Sequence, residues 1–410
     1  MPSRLAASAC ALALWACPGA QPREPEAGPD ARVEPVLATR PQPSLPGAIR
    51  VATVFPTIGR YALSGRQSLN GVRLAVEDVN RAGGVHGRPV ELLEYQTGSY
   101  FLDAARAAGL AVAEGRAVAI VGSNSSSLSI AVAEVAEAHG IVQVSNVSTA
   151  RDLTWNPETG RERRFVFRVC VSDGAMGQLL ARFARERLGA RRVAVLYEVG
   201  RVYSAQLASS FIESFRDTSG ERVAEEFFYL SLETDFRSQL QDVAAFGADA
   251  LFVPGSFTDA TLVGAQAAQL GIQGTLLGAD GWSNRHLFSR GAPDRPSYYG
   301  DHCAPPEEFS VRYRREFGDE AEGCRAILAY DALRAVVAGL EGLGPLEDAA
   351  LEDGLPETRR RLRDAVADVE VEGAAGTIRF DSHGDSRRSI AVMRVPPGGG
   401  PPSLEVMLGG

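Results

Sequence analysis

From Ile49 onward, short apolar runs alternate with longer segments whose apolar positions recur at helical spacing. Ile49 to Phe55 reads as a buried strand. The next segment carries Leu69, Val72, Val76 and Val79 on one helical face before Gly83-Gly84 ends it. The alternation continues with strands at Val90 to Tyr95, Ala117 to Val121 and Ile141 to Val144, separated by helices from Asp103 and over Leu128 to His139. A second series follows the polar, turn-rich stretch Trp155 to Arg164. Its strands are Phe165 to Val169, Val193 to Tyr197, Val223 to Tyr229, Ala250 to Val253 and Thr275 to Leu277, with helices between. Helices around Phe309 to Phe317, Ala326 to Leu340 and Glu357 to Val366 come next, then strand-like Thr377 to Phe380 and Ile390 to Val395. Almost wholly apolar strands alternating with helices imply parallel sheets covered on both faces. Two α/β units thus stand in tandem and share the C-terminal segments, while the Pro-Gly-rich residues 399–410 read as a frayed end.

The segment before Ile49 has a different character. Met1 to Cys17 carries one positive charge, Arg4, then an apolar run too short to span a bilayer, which reads as an export signal. Its ending, Leu14-Trp15-Ala16-Cys17, resembles the bacterial lipoprotein cleavage box, in which the cysteine becomes the lipidated first residue. A plain secretory signal cut nearby is the alternative. Residues 18–47 are rich in Pro, Ala, Glu and Arg without apolar periodicity and read as a disordered tether. In polyproline II, at about 3.1 Å per residue, that tether reaches at most on the order of 90 Å.

Composition narrows the functional classes. At 410 residues, 45% hydrophobic and 23% charged, the chain is long enough for two ordinary globular domains. The net charge of -9 and the interleaving of Arg with Glu leave no basic stripe, so no nucleic-acid partner is expected. All 42 cationic side chains are arginine, which excludes a lysine Schiff base and a P-loop of the GxxxxGK[ST] type. No Gly-x-Ser-x-Gly turn is present. The five histidines fall mainly in helix ends, turns or loops, so no nucleophile, base and orienting acid can be nominated together and no enzyme is expected. Beyond the signal, Cys170, Cys303 and Cys324 remain, and an odd number leaves at least one unpaired. Cys170 sits in an apolar run and reads as buried, which leaves a Cys303 to Cys324 pair open. His302 beside Cys303 lacks two further ligands at zinc spacing, so no metal and no cofactor is expected.

In open parallel sheets, ligands lie beyond the carboxyl ends of strands. That rule selects the loops Thr57 to Gly65, Ser123 to Ser127, Ser145 to Thr149, Glu198 to Ser204, Gly255 to Asp259 and Gly278 to Trp282. The serine run, with Ser125 and Ser126, directly precedes a helix. Its hydroxyls and the first helical N-H groups suit a carboxylate, although a helix cap is the simpler use of one such serine. Asp280 follows an apolar strand, where it suits an ammonium or merely supports a turn beside Gly281.

Several phrases resemble the Leu/Ile/Val-binding group of periplasmic substrate-binding proteins. They are Asn70-Gly71-Val72-Arg73-Leu74-Ala75-Val76, Asn80-Arg81-Ala82-Gly83-Gly84-Val85-His86-Gly87-Arg88, Val121-Gly122 with its serine run, Phe167-Arg168-Val169-Cys170-Val171-Ser172-Asp173, Gly278-Ala279-Asp280-Gly281-Trp282 and Ala329-Tyr330-Asp331-Ala332. The resemblance implies the type I periplasmic binding fold: α/β, two Rossmann-like lobes with parallel sheets joined by a multi-strand hinge. Residues 48–168 plus 304–372 would form the N-terminal lobe, and 169–303 plus 373–398 the C-terminal lobe. It further implies an amino-acid-like ligand whose carboxylate meets Ser126 and neighbouring N-H groups. The ammonium would meet Thr149, beside Ser148, together with the carbonyl of Val147 and Asp280. Tyr203 and Phe257 match aromatic positions that cover the ligand. Two departures concern the side-chain pocket: Ser64 and Arg325 stand where the group commonly has aromatics. Arg325 either makes the pocket cationic, suiting a polar or acidic side chain, or points to solvent or pairs with Glu320 or Glu322. The implied partner is the permease of an ABC transporter, with the binding protein acting as an exported, membrane-anchored monomer. A sensor of the same fold, or a binder of an amide, urea or aromatic acid, is the alternative.

Overall fold

The computed structural model describes residues 45–409, apart from 217–220 and 290. The signal segment, Cys17 and residues 18–44 of the tether lie outside the described residues.

The first lobe is built as the apolar runs require. Strands β1 (Ile49–Pro56), β2 (Val90–Thr97), β3 (Ala119–Gly122) and β4 (Val142–Ser145) alternate with helices α1 (Ala62–Arg81), α2 (Phe101–Ala113) and α3 (Ser126–His139). The turn-rich stretch after β4 holds a small hairpin, β5 (Trp155–Asn156) and β6 (Arg161–Glu162), and leads into β7 (Val166–Arg168). The five main strands pair in parallel in the order β2-β1-β3-β4-β7. Central β1 and β3 are buried on both faces, and that is why they are apolar at successive residues instead of alternate ones.

In the second lobe, α4 (Asp173–Glu186), β8 (Arg192–Glu198), α5 (Val202–Phe215), β9 (Val223–Tyr229), α6 (Arg237–Phe246), β10 (Ala250–Phe252), α7 (Phe257–Gln269) and β11 (Thr275–Gly278) repeat the alternation. They are followed by β12 (Ser297–Asp301), which the sequence pattern did not reveal. Ser297-Tyr298-Tyr299-Gly300-Asp301 has too few apolar residues to show a period, and it is a strand because β11 pairs with it on one side.

The chain then returns to the first lobe through α8 (Glu307–Phe317), α9 (Arg325–Gly342), α10 (Asp348–Leu351), α11 (Leu355–Ala367) and the hairpin β13 (Glu370–Gly373) and β14 (Gly376–Arg379). Helix α9 is buried around most of its circumference and packs on α1. Gly71 permits this approach, because a Cβ there would collide with the Ala326 carbonyl oxygen at the start of α9. Strand β15 (Ile390–Val395) finally extends the second sheet antiparallel to β12, and β16 (Ser403–Leu408) pairs antiparallel to β15, in the order β16-β15-β12-β11-β10-β8-β9.

Two expected boundaries are corrected. Residues 399–410 are not simply a frayed end: Ser403–Leu408 pairs with β15, and Val406 and Leu408, two apart, turn onto the second-lobe core. Residues 374–380 belong with the first lobe, because Ile378 and Phe380 join its core and Asp331 of α9 accepts hydrogen bonds from the N-H groups of Ala374 (2.6 Å) and Ala375 (3.2 Å).

Three passages link the lobes: after β7, after β12, and between β14 and β15. Two arginines, Arg168 buried and Arg388 nearly so at its side chain, pin the first and third of them. Arg168 donates to Asp385 (2.6 Å), Thr154 (2.8 Å) and the carbonyls of Ser148 (3.2 Å) and Ala150 (2.8 Å), and Arg388 donates to Asp331 (3.0 Å). Buried charges are tolerated when paired and hydrogen-bonded in this way. The two phrases holding Arg168 and Asp331 therefore serve the hinge.

Candidate ligand-binding cleft

A cleft of about 300 Å³ lies between the lobes, at the carboxyl ends of both sheets. Every strand-end loop selected from the sequence contributes to it.

The first-lobe wall is made by Tyr61, Leu63 and Ser64 before and within the first turn of α1, by Asn124 to Ser127 at the start of α3, and by Val147 after β4. Among the described residues three helices begin at a serine, and they differ in how it is used. Ser172 caps α4 by accepting from the Ala175 N-H (3.4 Å), and Ser256 forms a reciprocal capping box with Asp259 on α7. Ser125, at the same position of α3, makes no side-chain cap. The simpler use of the serine run is thus not realised, and the first amides of α3 stand at the cleft with the positive end of the helix dipole. The hydroxyl oxygen of Ser126 accepts only weakly from the Ala150 N-H, at 3.4 Å. Asn124 donates to the Ser64 hydroxyl (2.8 Å), while its carbonyl oxygen is buried without a partner.

The second-lobe wall is ionic. Asp280 Oδ1 accepts a hydrogen bond from the Tyr203 hydroxyl (3.0 Å), whose oxygen in turn accepts from the Gly281 N-H (3.2 Å). Gly281 lets this loop close, since a Cβ there would strike the Gly255 carbonyl. Asp280 Oδ2 lies 3.6 Å from His302 Nε2. Burial pushes the Asp280 carboxyl upward, but His302, Tyr203 and Arg325 outweigh it and hold the group below its ordinary value, as a carboxylate. Burial and the neighbouring Asp280 and Asp173 push the Tyr203 phenol well above its own, so Tyr203 remains a donor.

At the mouth, Glu198 at the end of β8 reaches Arg60 of the first lobe (3.3 Å) and Arg201 (3.7 Å) and accepts from Ser231. The Arg201 guanidinium lies over the rings of Tyr203 (5.3 Å) and Tyr61 (5.9 Å). Arg60, Glu198 and Arg201 were not singled out from the sequence, although their loops were. Charged side chains in arginine-rich loops look alike until the partner lobe is in place.

Residues 48–400 match the periplasmic binding protein family. The chain belongs to that family. Among relatives of this binding protein is the "Leu/Ile/Val-binding protein homolog 3" of Brucella melitensis, 25% identical over 82% of this chain and 88% of the relative. The leucine-binding protein LivK of Thermotoga maritima superposes over 88% of this chain and 99% of its own with a TM-score of 0.77 and 28% identity. The substrate-binding protein LivJ of Streptococcus pneumoniae, solved with isoleucine, does so over 88% and 99% with a TM-score of 0.74 and 23% identity. The family is one of extracytoplasmic solute-binding proteins. Among the described residues no helix is long and apolar enough to cross a membrane.

Within this periplasmic binding fold, Ser64, Ser125, Ser126, Val147, Tyr203, Phe257, Asp280 and Arg325 all meet at the cleft. Ser148 and Thr149 do not line it. Ser148 is buried and shares a hydrogen bond with Ser129 (2.6 Å), and Thr149 lies behind the wall with its hydroxyl beside the buried Asp173 carboxyl at the start of α4. Arg325 neither points to solvent nor pairs with the carboxylate of Glu320 or Glu322. Its Nη1 donates to the carbonyls of Ser283 (2.6 Å) and Glu322 (3.0 Å), reaching the second lobe. Cys303 and Cys324 are bonded, with Cα atoms 5.9 Å apart, and Cys170 is buried and free. The disulfide ties the residue after His302 to the residue before Arg325.

Proposed function

We propose that this protein captures an amino acid between its lobes by hinge closure and presents it to the permease of an ABC transporter. The reading rests on one juxtaposition. The uncapped N-terminus of α3 faces a cleft whose opposite wall carries the Asp280 carboxylate. These are complementary to the two charges of a zwitterion. Each lobe supplies one half of that complement, so only closure completes it, and ligand shifts the population towards the closed form. The relatives, named for binding leucine, isoleucine and valine, support the same class. The protein acts as a monomeric binder and not as an enzyme, with Ser125, Ser126, Val147 and Asp280 holding the zwitterion and Tyr203 and Phe257 covering it. Export by the N-terminal signal and lipidation at Cys17 would hold the lobes outside the membrane on the tether.

The test is a thermal-shift and calorimetric screen of the full-length protein against amino acids, amides and small carboxylates. A bound amino acid at about one hundred times its Kd raises stability by about 2.7 kcal/mol. Stabilisation by amides or aromatic acids but by no amino acid would overturn the reading.

A further inference from the structure

Arg325 distinguishes this cleft. It is the first residue of α9, and its backbone carbonyl accepts from Asn146 (3.0 Å). Asn146 also donates to Ser68, and Ser68 to the Ser64 carbonyl, so Arg325 and Ser64 are tied into one hydrogen-bonded layer of the first-lobe wall. The guanidinium lines the cleft, yet both of its hydrogen bonds go to neutral backbone carbonyls, which orient the group without cancelling its charge.

The acids of the cleft have their hydrogen bonds elsewhere, although Glu322 and Asp280 feel the Arg325 charge from further off. Glu322 accepts from Asn284 (2.7 Å) and faces Arg285 (3.3 Å). Asp301 accepts from Ser283 and from the His302 N-H (2.7 Å), and Glu198 holds Arg60 and Arg201. Asp280 accepts from Tyr203 and, on the reading above, takes the ammonium. Among the described residues none of them forms an ion pair with Arg325. An aliphatic side chain beside it would strip water from the remaining guanidinium N-H groups on closure and return nothing, which is costly for a charge. A carboxylate would accept two of those N-H groups in the paired geometry that guanidinium favours.

We infer that the ligand is an amino acid whose side chain ends in a carboxylate, and that Arg325 is the specificity-determining residue that receives it. This rests on the zwitterion reading of the same cleft. Calorimetry on the full-length protein with glutamate, aspartate, glutamine and leucine tests it. Glutamate or aspartate is expected to bind at least about tenfold more tightly than leucine, and R325L to lose on the order of 30-fold or more of that affinity while R325K keeps part of it. Tighter binding of leucine or of glutamine, or an unchanged affinity for the acid in R325L, overturns the assignment while the amino-acid reading stands. Binding of no amino acid overturns both. The wild-type ligand panel decides the matter even where R325L fails to fold.

Discussion

The two walls of the cleft solve the two halves of one recognition problem with different chemistry. The first-lobe wall around α3 presents hydroxyls and backbone amides and carries no formal charge from Asn124 to Ser127. The second-lobe wall places a full carboxylate, Asp280, between a tyrosine and a histidine. A carboxylate can be held by oriented N-H dipoles, which a helix start supplies without an added cation. An ammonium has only donors to offer, and burying it demands a counter-charge. The walls should therefore respond unequally to mutation.

The largest effect is expected at Asp280. Asp280→Ala would leave the ammonium buried without its counter-charge and cost about 3 to 5 kcal/mol, roughly a hundredfold to a few thousandfold in Kd by calorimetry. Next comes the disulfide. Cys303→Ser with Cys324→Ser opens a loop of 21 residues and should lower unfolding stability by about 3 kcal/mol, read by chemical denaturation. Ser126→Ala removes one neutral group among several donors. A loss of about 1 kcal/mol, roughly fivefold in affinity, is expected, and a loss equal to that at Asp280 would erase the contrast between the walls. Arg60→Ala breaks a link across the mouth that is more than a third exposed on the arginine side, and should change affinity by less than about fivefold while speeding ligand release.

The smallest effect concerns pH. Burial holds Asp301, Glu322 and Asp331 above their ordinary values, so above the ordinary carboxylate pKa the folded state binds more protons than the unfolded chain and its stability rises as pH falls through the raised values. Glu198 and Asp280 behave oppositely. Each is pushed up by burial but lowered overall, Glu198 by Ser231 and the arginines and Asp280 chiefly by His302. Their stabilisation is present above the ordinary carboxylate pKa and is lost as pH falls through the lowered folded values. A Tm profile should thus rise as pH is lowered towards the ordinary carboxylate range and fall below about pH 4. A monotonic fall from pH 7 downward would remove the contrast between these two sets of acids.

Much of this was legible along the chain. The apolar runs of β1, β3, β8 and β10 are nearly continuous because both faces of a central parallel strand are buried, and the carboxyl-end rule then located the cleft loops without coordinates. What escaped notice lacked a local signal. β12 and β16 are strands because a neighbour pairs with them, and the Arg60 to Glu198 link joins residues 138 apart.

The sequence by itself determined the two α/β lobes, the loops that face each other and the serines and aspartate they carry, since each depends on periodicity or on a strand end. Tertiary structure alone decided how those groups are used. It left α3 uncapped, moved Ser148 and Thr149 behind the wall, joined Cys303 to Cys324, and chose for Arg325, between pocket and surface, a place in the cleft held by two carbonyls. A side chain's role depends on which partners the folded chain brings within hydrogen-bonding distance, and those partners come from distant segments.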